Sequence, residues 1–366
     1  MKKLLLSILF IILLCGCSQK DSRTIIQFAS WGSKSEIDIL KPILSDFEKE
    51  NPEIKIDFMH IPQNYFQKIH LLFASNTAPD VIFINNLYLP LYTNYLEELE
   101  PKNNFYKQAT EALSQNGKLY AVPRDISNLV IFYNKDLFNK KKIPYPKENW
   151  TFNDFLYTAQ KLTDKNTFGI SFEEEPMLYL PYLFSEGGGI LPEEISKPES
   201  QKAINFYADL RKKYHVAPQK FESASATMAQ LFLQQKIGMY LSGRWMVPKF
   251  REECVFDWDV AKFPKGTKGS IVQTDASGWA ITKSSKHKTE AGKLVDYLSS
   301  KDNIEKFTKT GLIVPARKDV SLIDNQKPLN GKIFTEIIET SKPTPVTKNY
   351  KEITDKLKKD LESKFN

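Results

Sequence analysis

Residues 25–56 read IIQFASWGSKSEIDILKPILSDFEKENPEIKI, a stretch that carries in turn the patterns of a strand, a helix and a second strand. The short apolar run at residues 25–29 is typical of a buried strand, and Ser33 stands three residues before Glu36, which is the spacing of a helix capping box. Apolar residues at helical spacing follow, and the helix should end at Asn51 because the next residue is proline. Alternation of apolar and polar residues beyond that point predicts the second strand.

The alternation of strands and helices continues along the chain. The pattern predicts a second helix over Tyr65–Ala74 and a buried strand over Val81–Ile84, and similar segments recur after residue 129. Such alternation favours an α/β fold in which helices cover a parallel sheet. A chain of 366 residues is long enough for two bodies of this kind.

Residues that directly follow strands have a special position in such a sheet. Right-handed crossovers place the loops after parallel strands at one edge, and ligands of open α/β sheets bind at that edge. Trp31, Asn85 and Asn86 directly follow predicted strands. We therefore expect these side chains, together with the flexible Gly32, to lie at a ligand site.

The composition argues against several classes of function. The chain has 51 Lys and Arg against 44 Asp and Glu, and its lysines are scattered rather than clustered as in nucleic-acid-binding proteins. The 4 histidines lie far apart, without the spacing of a zinc site. We therefore expect no nucleic-acid partner, no metal ion and no cofactor.

The amino terminus has the three parts of a secretory signal. Two lysines precede an apolar run over residues 4–14, which is shorter than the about 20 residues that a membrane-spanning helix needs. The Leu-x-Gly-Cys ending at Cys17 resembles the bacterial lipobox, in which the cysteine becomes the acylated first residue. This predicts a signal peptide over residues 1–16, a lipid on Cys17 and a polar tether over residues 17–23. The alternative is an ordinary cleaved signal.

The cysteines of the chain are Cys15, Cys17 and Cys254. Cleavage would remove the first and acylation would occupy the second, so Cys254 is left without a disulfide partner. A reactive thiol needs a cationic and accessible setting. We expect Cys254 to be a small packed residue.

A series of segments resembles one protein family, in the family's order and along nearly the whole chain. The segments are IIQFASWG (25–32), ILSDFEKENPEIKI (43–56), APDVIFIN (78–85), GKLYAVPRDISNLVIFYNKDLF (117–138), TFNDFLYTAQKLT (151–163), FLQQKIGMYLSGRWMV (232–247), WDVAKFPKG (258–266), GWAITKSSKHKTEAGKLVDYLSS (278–300) and GLIVPAR (311–317). Together they resemble the extracellular solute-binding proteins of ABC importers, the class that includes maltose-binding and glycerol-phosphate-binding proteins.

The resemblance implies a fold of the type II periplasmic-binding-protein class. In such proteins two α/β lobes are joined by crossover segments, and the ligand lies in the cleft between the lobes. In this sequence the crossovers would lie near Arg124–Ser127, Gln273–Asp275 and Leu312–Pro315. Crossovers of this kind act as hinges that let the lobes close around a ligand.

Domain boundaries and partners follow from the same resemblance. One lobe would comprise residues 24–124 and 275–312, and the other residues 125–274 and 313–366. The protein would be a monomer, held by its lipid at the outer face of the cytoplasmic membrane. It would deliver a small molecule to permease subunits that a cytoplasmic ATPase drives.

The predicted ligand-binding residues come from the sheet edge and from the resemblance. They are Trp31, Gly32, Asn85, Asn86, Asp125, Gly188, Arg244, Trp245, Gly278, Trp279 and Arg317. Aromatic faces stack on the apolar face of a sugar ring, so Trp31 and Trp245 are the main aromatic candidates. Asp125 would accept two sugar hydroxyls, or it would form a hinge salt bridge with Arg124.

The other candidates also have structural interpretations. Trp279 is either a ligand contact or a core residue, with the backbone of Gly278 as the ligand neighbour in the second case. Gly188 lies in a run of three glycines that either brings N–H groups to the ligand or forms a turn. Arg317 offers a planar guanidinium to vicinal hydroxyls, a carboxylate or a phosphate.

Two ligand classes follow from these residues. The tryptophans and Asp125 favour a neutral mono- or oligosaccharide, because a carboxylate repels phosphate. Arg124, Arg244 and Arg317 keep a glycerol phosphodiester, glycerol 3-phosphate or a sugar phosphate open, because three guanidiniums would offset its charge.

Catalysis has less support in the sequence. Ser285–Lys288 fits S-x-x-K and Lys309–Gly311 fits K-T-G, as in penicillin-interacting serine enzymes, but no S-D-N element lies between them. No motif indicates the paired carboxylates of a glycosidase. We therefore predict a binding protein and not an enzyme, with an extracytoplasmic hydrolase or an adhesin as less favoured alternatives.

Overall fold

A computed structural model describes residues 22–223, 226–322 and 325–366. The predicted signal peptide and the predicted lipidation site at Cys17 lie outside the described residues. Within the described ranges, no helix combines the length and the apolar character needed to cross a membrane.

The strands and helices alternate as the sequence predicts. The strands are β1 (Thr24–Ser30), β2 (Ile54–His60), β3 (Val81–Asn85), β4 (Ser114–Gln115), β5 (Lys118–Leu119), β6 (Val122–Ser127), β7 (Leu129–Asn134), β8 (Phe168–Ile170), β9 (Ile237–Gly243), β10 (Trp258–Ala261), β11 (Gln273–Ile281), β12 (Val314–Pro315) and β13 (Lys342–Pro343). The helices are α1 (Lys34–Glu50), α2 (Tyr65–Ala74), α3 (Leu89–Tyr92), α4 (Lys107–Ala112), α5 (Lys135–Lys140), α6 (Phe152–Leu162), α7 (Pro176–Glu186), α8 (Pro192–Ile195), α9 (Pro198–Lys212), α10 (Lys220–Ser223), α11 (Met228–Leu233), α12 (Val247–Glu253), α13 (Lys288–Leu298), α14 (Lys301–Lys309), α15 (Ile333–Glu336) and α16 (Tyr350–Phe365). Short 3₁₀ turns lie at Thr93–Tyr95 and Arg244–Met246.

The first sheet has the order β12-β6-β11-β3-β1-β2, with β13 beside β11. β1 is parallel to both β2 and β3, as predicted for the beginning of the chain. The expectation of a parallel sheet is wrong beyond these strands, because β11 runs antiparallel to β3 and β6, and β12 runs antiparallel to β6. Apolar periodicity predicts a strand but carries no information on its direction.

The second sheet has the order β10-β7-β9-β8. β7 pairs antiparallel with both β10 and β9, whereas β8 and β9 are parallel. The two sheets, each with its helices, form the two lobes of a mixed α/β fold, so the predicted fold class is confirmed.

The three predicted crossover segments come together in the first sheet. β6 contains the first, β11 begins at the second and β12 forms the end of the third, and these strands are direct neighbours. Asp125 is the partner of both Pro315 and Ser277. The action of these strands as hinges, and the lobe boundaries given above, remain predictions.

Local sequence signals explain the starts of two helices. The Thr151 hydroxyl and the Asp154 carboxylate form a complete capping box at the start of α6. At α1, the Ser33 hydroxyl accepts a hydrogen bond from the Glu36 amide. The side chain of Glu36 pairs with Arg124 and leaves only half of the predicted box.

The core of the first lobe forms where α1 packs on the sheet. The buried apolar residues of α1 are Ile37, Leu40, Ile43, Leu44 and Phe47, the face that helical spacing predicts. Phe28 and Phe83, from β1 and β3, are fully buried beneath this lobe's helices. The apolar pattern therefore fixes which side of α1 faces the sheet.

Cys254 follows α12 and is half-buried. Burial raises the pKa of its thiol to about 12, so the thiol is protonated at neutral pH. This agrees with the predicted packed residue. In the part of the chain that the structure describes, no group of His, Cys, Asp and Glu is placed to hold a metal ion.

Gly278 lies in β11 between two paired strands, where the register with β6 shifts. A Cβ at this position would lie 2.1 Å from the Val122 carbonyl oxygen and 3.0 Å from the Pro123 Cα. We expect Gly278→Ala to lower the free energy of unfolding by about 1–3 kcal/mol, because paired backbone has to move. Urea unfolding of the ligand-free protein measures this change.

Gly292→Ala in α13 is the matched control, because a Cβ there meets open space. Alanine is the better helix former, so this variant should be neutral or stabilised by about 0.5–1 kcal/mol. Equal stability of the two variants would show that β11 tolerates a side chain at Gly278.

Candidate ligand-binding site

A cavity of about 1000 Å³ opens at the carboxyl edge of β1 and β2. Its walls come from the loops after these two strands, from the first turns of α1, from the turn after β9 and from the loop before β12. The lining residues are Trp31, Gly32, Ser33, Lys34, Glu36, Ile37, Asp38, Lys41, His60, Pro62, Gln63, Asn64, Tyr65, Trp245 and Leu312. The cavity therefore lies where the rule for open α/β sheets places a ligand.

Trp31 is fixed on one wall by other aromatic rings. The rings of Tyr65, Phe66 and Phe83 meet it edge-on, with centroid separations of 5.1, 5.2 and 4.5 Å. The Tyr65 hydroxyl is itself fixed, because it donates to the Ala29 carbonyl at 3.0 Å and accepts from the Phe83 amide at 3.1 Å. Edge-to-face contacts of this kind favour one ring orientation, so the half-exposed Trp31 offers a preformed surface.

Trp245 also lines this cavity. It lies in the 3₁₀ turn that follows β9, and β9 is a strand of the second sheet. Of its surface, 36% is exposed. Trp31 and Trp245 thus reach the same cavity from different lobes. The sequence predicts both residues for the site, and the structure brings both to it.

A buried charge cluster lies beneath the cavity. The Nη1 of Arg124 donates to Glu36, which lines the cavity, and its Nε donates to Asp125 at 2.6 Å. The guanidinium also lies 4.2 Å from the ring centroid of Phe83. One cation therefore links the first turn of α1 to β6.

The charges of this cluster depend on one another. Burial alone would lower the pKa of Arg124, but the Asp125 and Glu36 carboxylates hold that pKa above its ordinary value. Burial raises the pKa of Asp125, and Arg124 opposes that shift. Arg124 remains charged, and Asp125 forms the salt bridge that the sequence offered as the alternative to a ligand contact.

Gly32 shapes the floor of the cavity beside Glu36. Its φ of +141° favours glycine. The Oε2 of Glu36 lies 3.0 Å from the point where a Cβ on residue 32 would stand. Nε2 of His60 lies 3.0 Å from the Gly32 carbonyl oxygen. Gly32 therefore leaves space at the Glu36 carboxylate.

A smaller cavity of about 230 Å³ lies where residues after β3 face the starts of α7 and α16. Tyr88, Met177 and Tyr350 are among its lining residues. Phe66 stacks on Tyr88 at 3.7 Å and meets Trp31 at 5.2 Å. A strip of three rings thus runs between the two cavities.

The structure does not bring Asn85 and Asn86 to the large cavity. Asn86 is buried, donates to Asp275 at 2.9 Å and accepts from the Ala276 amide at 3.1 Å. Asn85 accepts from the Tyr88 amide at 3.2 Å. The amide groups of both side chains bind protein, and Asn86 attaches β3 to the crossover strand β11.

Two predicted arginines also have structural roles. The Nε of Arg244 donates to the Ile313 carbonyl at 2.9 Å, and the residue is buried. Arg317 forms a bidentate salt bridge with Asp319, with N···O distances of 2.9 and 2.8 Å, and donates to the Ser299 carbonyl at 3.0 Å. Neither guanidinium lines the large cavity.

Three further candidates lie in packed regions. Trp279 is only 1% exposed, so it is a core residue and not a ligand contact, which is the second of the two interpretations given for it. Gly278 is enclosed within the sheet. Gly188 follows the end of α7, and a Cβ there would lie 2.4 Å from the Ser200 hydroxyl. Gly188 therefore belongs to a tight turn and is not brought to the cavity.

The sequence does not predict Glu36, His60 and Asn64, which are polar residues that line the cavity. The capping-box pattern assigns Glu36 only to a helix start, although it stands five residues after Trp31 in the loop and first turn at the sheet edge. Asn64 precedes α2 with φ of +53°, and its side chain makes no capping hydrogen bond. The sequence alone favours Asn64 as a helix cap, and only the structure shows that its side chain makes no capping bond.

The charge cluster gives a stability prediction. Arg124→Met would leave Glu36 and Asp125 buried without their cation, so we expect the free energy of unfolding to fall by about 3–5 kcal/mol. Urea unfolding of the ligand-free protein at neutral pH measures this change in the free energy of unfolding. Lys49→Met, which breaks an exposed ion pair with Asp46, should change stability little. Similar small losses in both variants would contradict a structural role for Arg124.

Comparison with known proteins relates most of the chain to the family that the sequence segments resemble. Residues 33–305 match the family model described as bacterial extracellular solute-binding protein. A putative binding protein of Brucella abortus (strain 2308) is 28% identical over 84% of this chain and 80% of its own length. A galactooligosaccharide-binding protein of Bacillus subtilis (strain 168) is 24% identical over 90% of this chain and 82% of its own length.

A solved structure is similar over nearly the whole length of both chains. It is an ABC substrate-binding protein of Listeria monocytogenes in complex with cycloalternan, with a TM-score of 0.87, 26% identity and 94% of each chain covered. The matched fold, the cleft geometry and the family match agree. The chain belongs to the bacterial extracellular solute-binding protein family.

Proposed function

We propose that this chain is the substrate-binding component of an ABC importer and that it captures a neutral carbohydrate outside the cytoplasm. The observation that carries the proposal is the pair Trp31 and Trp245, which reach one cavity of about 1000 Å³ from the two lobes. Two indole surfaces in one cavity suit a ligand with apolar faces and a polar rim, and sugar rings have this form.

The polar groups of the cavity suit sugar hydroxyls. The Glu36 carboxylate is held in place by Arg124 through one oxygen, and its other oxygen lies towards Gly32 on the cavity wall. A hydroxyl that donates to an ionised carboxylate forms a stronger bond than one between neutral groups. His60 and Asn64 add further polar atoms to the same wall.

The phosphate alternative has less support. Arg124 is paired with two buried carboxylates, Arg244 binds the Ile313 carbonyl, and Arg317 is paired with Asp319. None of these guanidiniums is directed to a phosphate in the cavity. The charged residues that line the cavity are mixed in sign, with Glu36 and Asp38 beside Lys34 and Lys41, and Lys34 pairs with Asp38 at 2.6 Å.

The relatives support a carbohydrate ligand. The names of similar proteins mention galactooligosaccharide, multiple sugars and maltodextrin, and the similar Listeria structure contains cycloalternan. These are binding proteins, which supports a binding role for this chain over hydrolysis. Ser285 of the S-x-x-K match donates to Asp80 at 2.6 Å and accepts from the His287 amide, as expected for a structural turn.

The proposal includes the transport partners and the anchor. The family is extracellular, so the chain acts outside the cytoplasm. We infer that a lipid on Cys17 keeps it at the membrane and that permease subunits with an ATPase take the sugar. A tether of this kind raises the local concentration of the receptor at its importer.

Trp245→Ala tests the aromatic pair. We expect affinity for a bound sugar to fall about tenfold or more, because a stacking surface is lost, while the melting temperature of the ligand-free protein changes little. Calorimetric titration against maltotriose, galactooligosaccharides, glycerol 3-phosphate and sugar phosphates identifies the ligand and measures the loss. Tyr157→Ala, which removes an exposed ring outside the cavity, is the matched control.

The same panel tests the ligand class. A sugar present at about 100 times its Kd should stabilise the protein by about 2.7 kcal/mol and raise its melting temperature. Stabilisation by phosphorylated polyols alone would contradict the neutral carbohydrate, and formation of product would contradict a binding role.

The anchor is tested by Cys17→Ser. We expect the natural sequence to incorporate radiolabelled palmitate and to stay with the membrane fraction, whereas the variant is unlabelled. A variant that is secreted and processed like the natural sequence, together with no label in either, would contradict the lipid anchor and leave the binding proposal intact.

A further inference from the structure

The Trp245 indole is folded back over Gly243. A Cβ built on Gly243 would lie 1.9, 2.3 and 2.4 Å from Cζ3, Cη2 and Cε3 of that ring, and these are the three nearest atoms. The backbone of Gly243 is extended, with φ of −108° and ψ of 178°, a conformation that any residue adopts. The indole therefore occupies the space that a side chain at this position would need.

We propose that Gly243 is a positioning residue that sets the orientation of Trp245 towards the ligand. The inference rests on the proposed role of Trp245 in sugar binding. With hydrogen in place of a side chain, the six-membered ring of the indole lies directly against the backbone. The ring is thereby supported from behind and presents its remaining surface to the cavity that it shares with Trp31.

The backbone that leads into Trp245 is held by a strand pairing and by the contacts of Arg244, and both oppose a shift that would admit a Cβ. Gly243 is the last residue of β9 and pairs with Leu129. Arg244 is buried, donates to the Ile313 carbonyl at 2.9 Å, and lies 5.5 Å from the ring centroid of Phe334. A side chain at residue 243 must therefore displace the indole.

Displacement of the indole changes the site more than the fold. Trp245 is 36% exposed, so its ring can leave the backbone without opening a closed core. The ring would then lie at a different place relative to Trp31. A ligand that contacts both walls would lose the fit on one of them.

The test is a mutant cycle of Gly243→Ala, Trp245→Ala and the double variant. Gly292→Ala serves as the control, because a Cβ there meets open space. The proteins are labelled with 5-fluorotryptophan, and the sequence contains 5 tryptophans. The ¹⁹F signal missing from Trp245→Ala identifies residue 245.

We expect Gly243→Ala to shift the Trp245 signal and to leave the signals of the buried Trp150, Trp258 and Trp279 in place. The substitution should lower the melting temperature in the natural sequence and leave it unchanged when Trp245 is absent, because the clashing atoms are then removed. An unmoved Trp245 signal, or an equal effect of Gly243→Ala in both backgrounds, would overturn the proposal.

Affinity is measured with maltotriose, or with the panel sugar that binds if maltotriose does not. Gly243→Ala should weaken binding about tenfold, as loss of an aromatic contact does, and should add nothing to Trp245→Ala. If no sugar binds the natural sequence, the proposed function fails, but the ¹⁹F signal and the melting temperatures still decide whether Gly243 positions the ring. A shifted signal with unchanged affinity would overturn the link to the ligand.

Discussion

The salt bridges of the buried Arg124 guanidinium are the interactions on which the shape of the cavity depends. The guanidinium joins Glu36 at the start of α1 to Asp125 on the first crossover strand, and it lies over the ring of Phe83. A charge out of water is tolerated only when partners surround it, so the three side chains hold one another in place. The same pairing fixes the carboxylate on the cavity floor and the position of α1 relative to β6.

The crossover strands extend this constraint across the molecule. β12, β6 and β11 are neighbours in one sheet, and Asn86 attaches the end of β3 to Asp275 of β11. Arg244 binds the backbone near β12 from the other lobe. Asn86 and Arg244, which the sequence predicts as polar ligand contacts, thus join strands and lobes, and neither lines the cavity that contains Trp31, Trp245 and Glu36.

The two tryptophans are supported in different ways. Three rings surround Trp31, and the Tyr65 hydroxyl is bonded to two backbone groups. Trp245 instead rests on the bare backbone of Gly243. An aromatic surface contributes most to binding when its rotamer is already chosen, because little entropy is lost on association. The rings around Trp31 and the Gly243 backbone beneath Trp245 each favour one rotamer of the indole.

The sequence by itself determined most of the elements and the family, and it predicted the two tryptophans that line the cavity. Helical spacing placed the buried face of α1, the Thr151 capping box placed the start of α6, and position after a strand identified Trp31, because these signals act between residues close in the chain. Only the tertiary structure decided the direction of β11, the pairing of Glu36 with Arg124, and the burial of Asn86, Trp279 and Arg244. Each of these depends on groups that are distant in sequence and meet only when the sheets assemble, and a sequence pattern carries no distance between them.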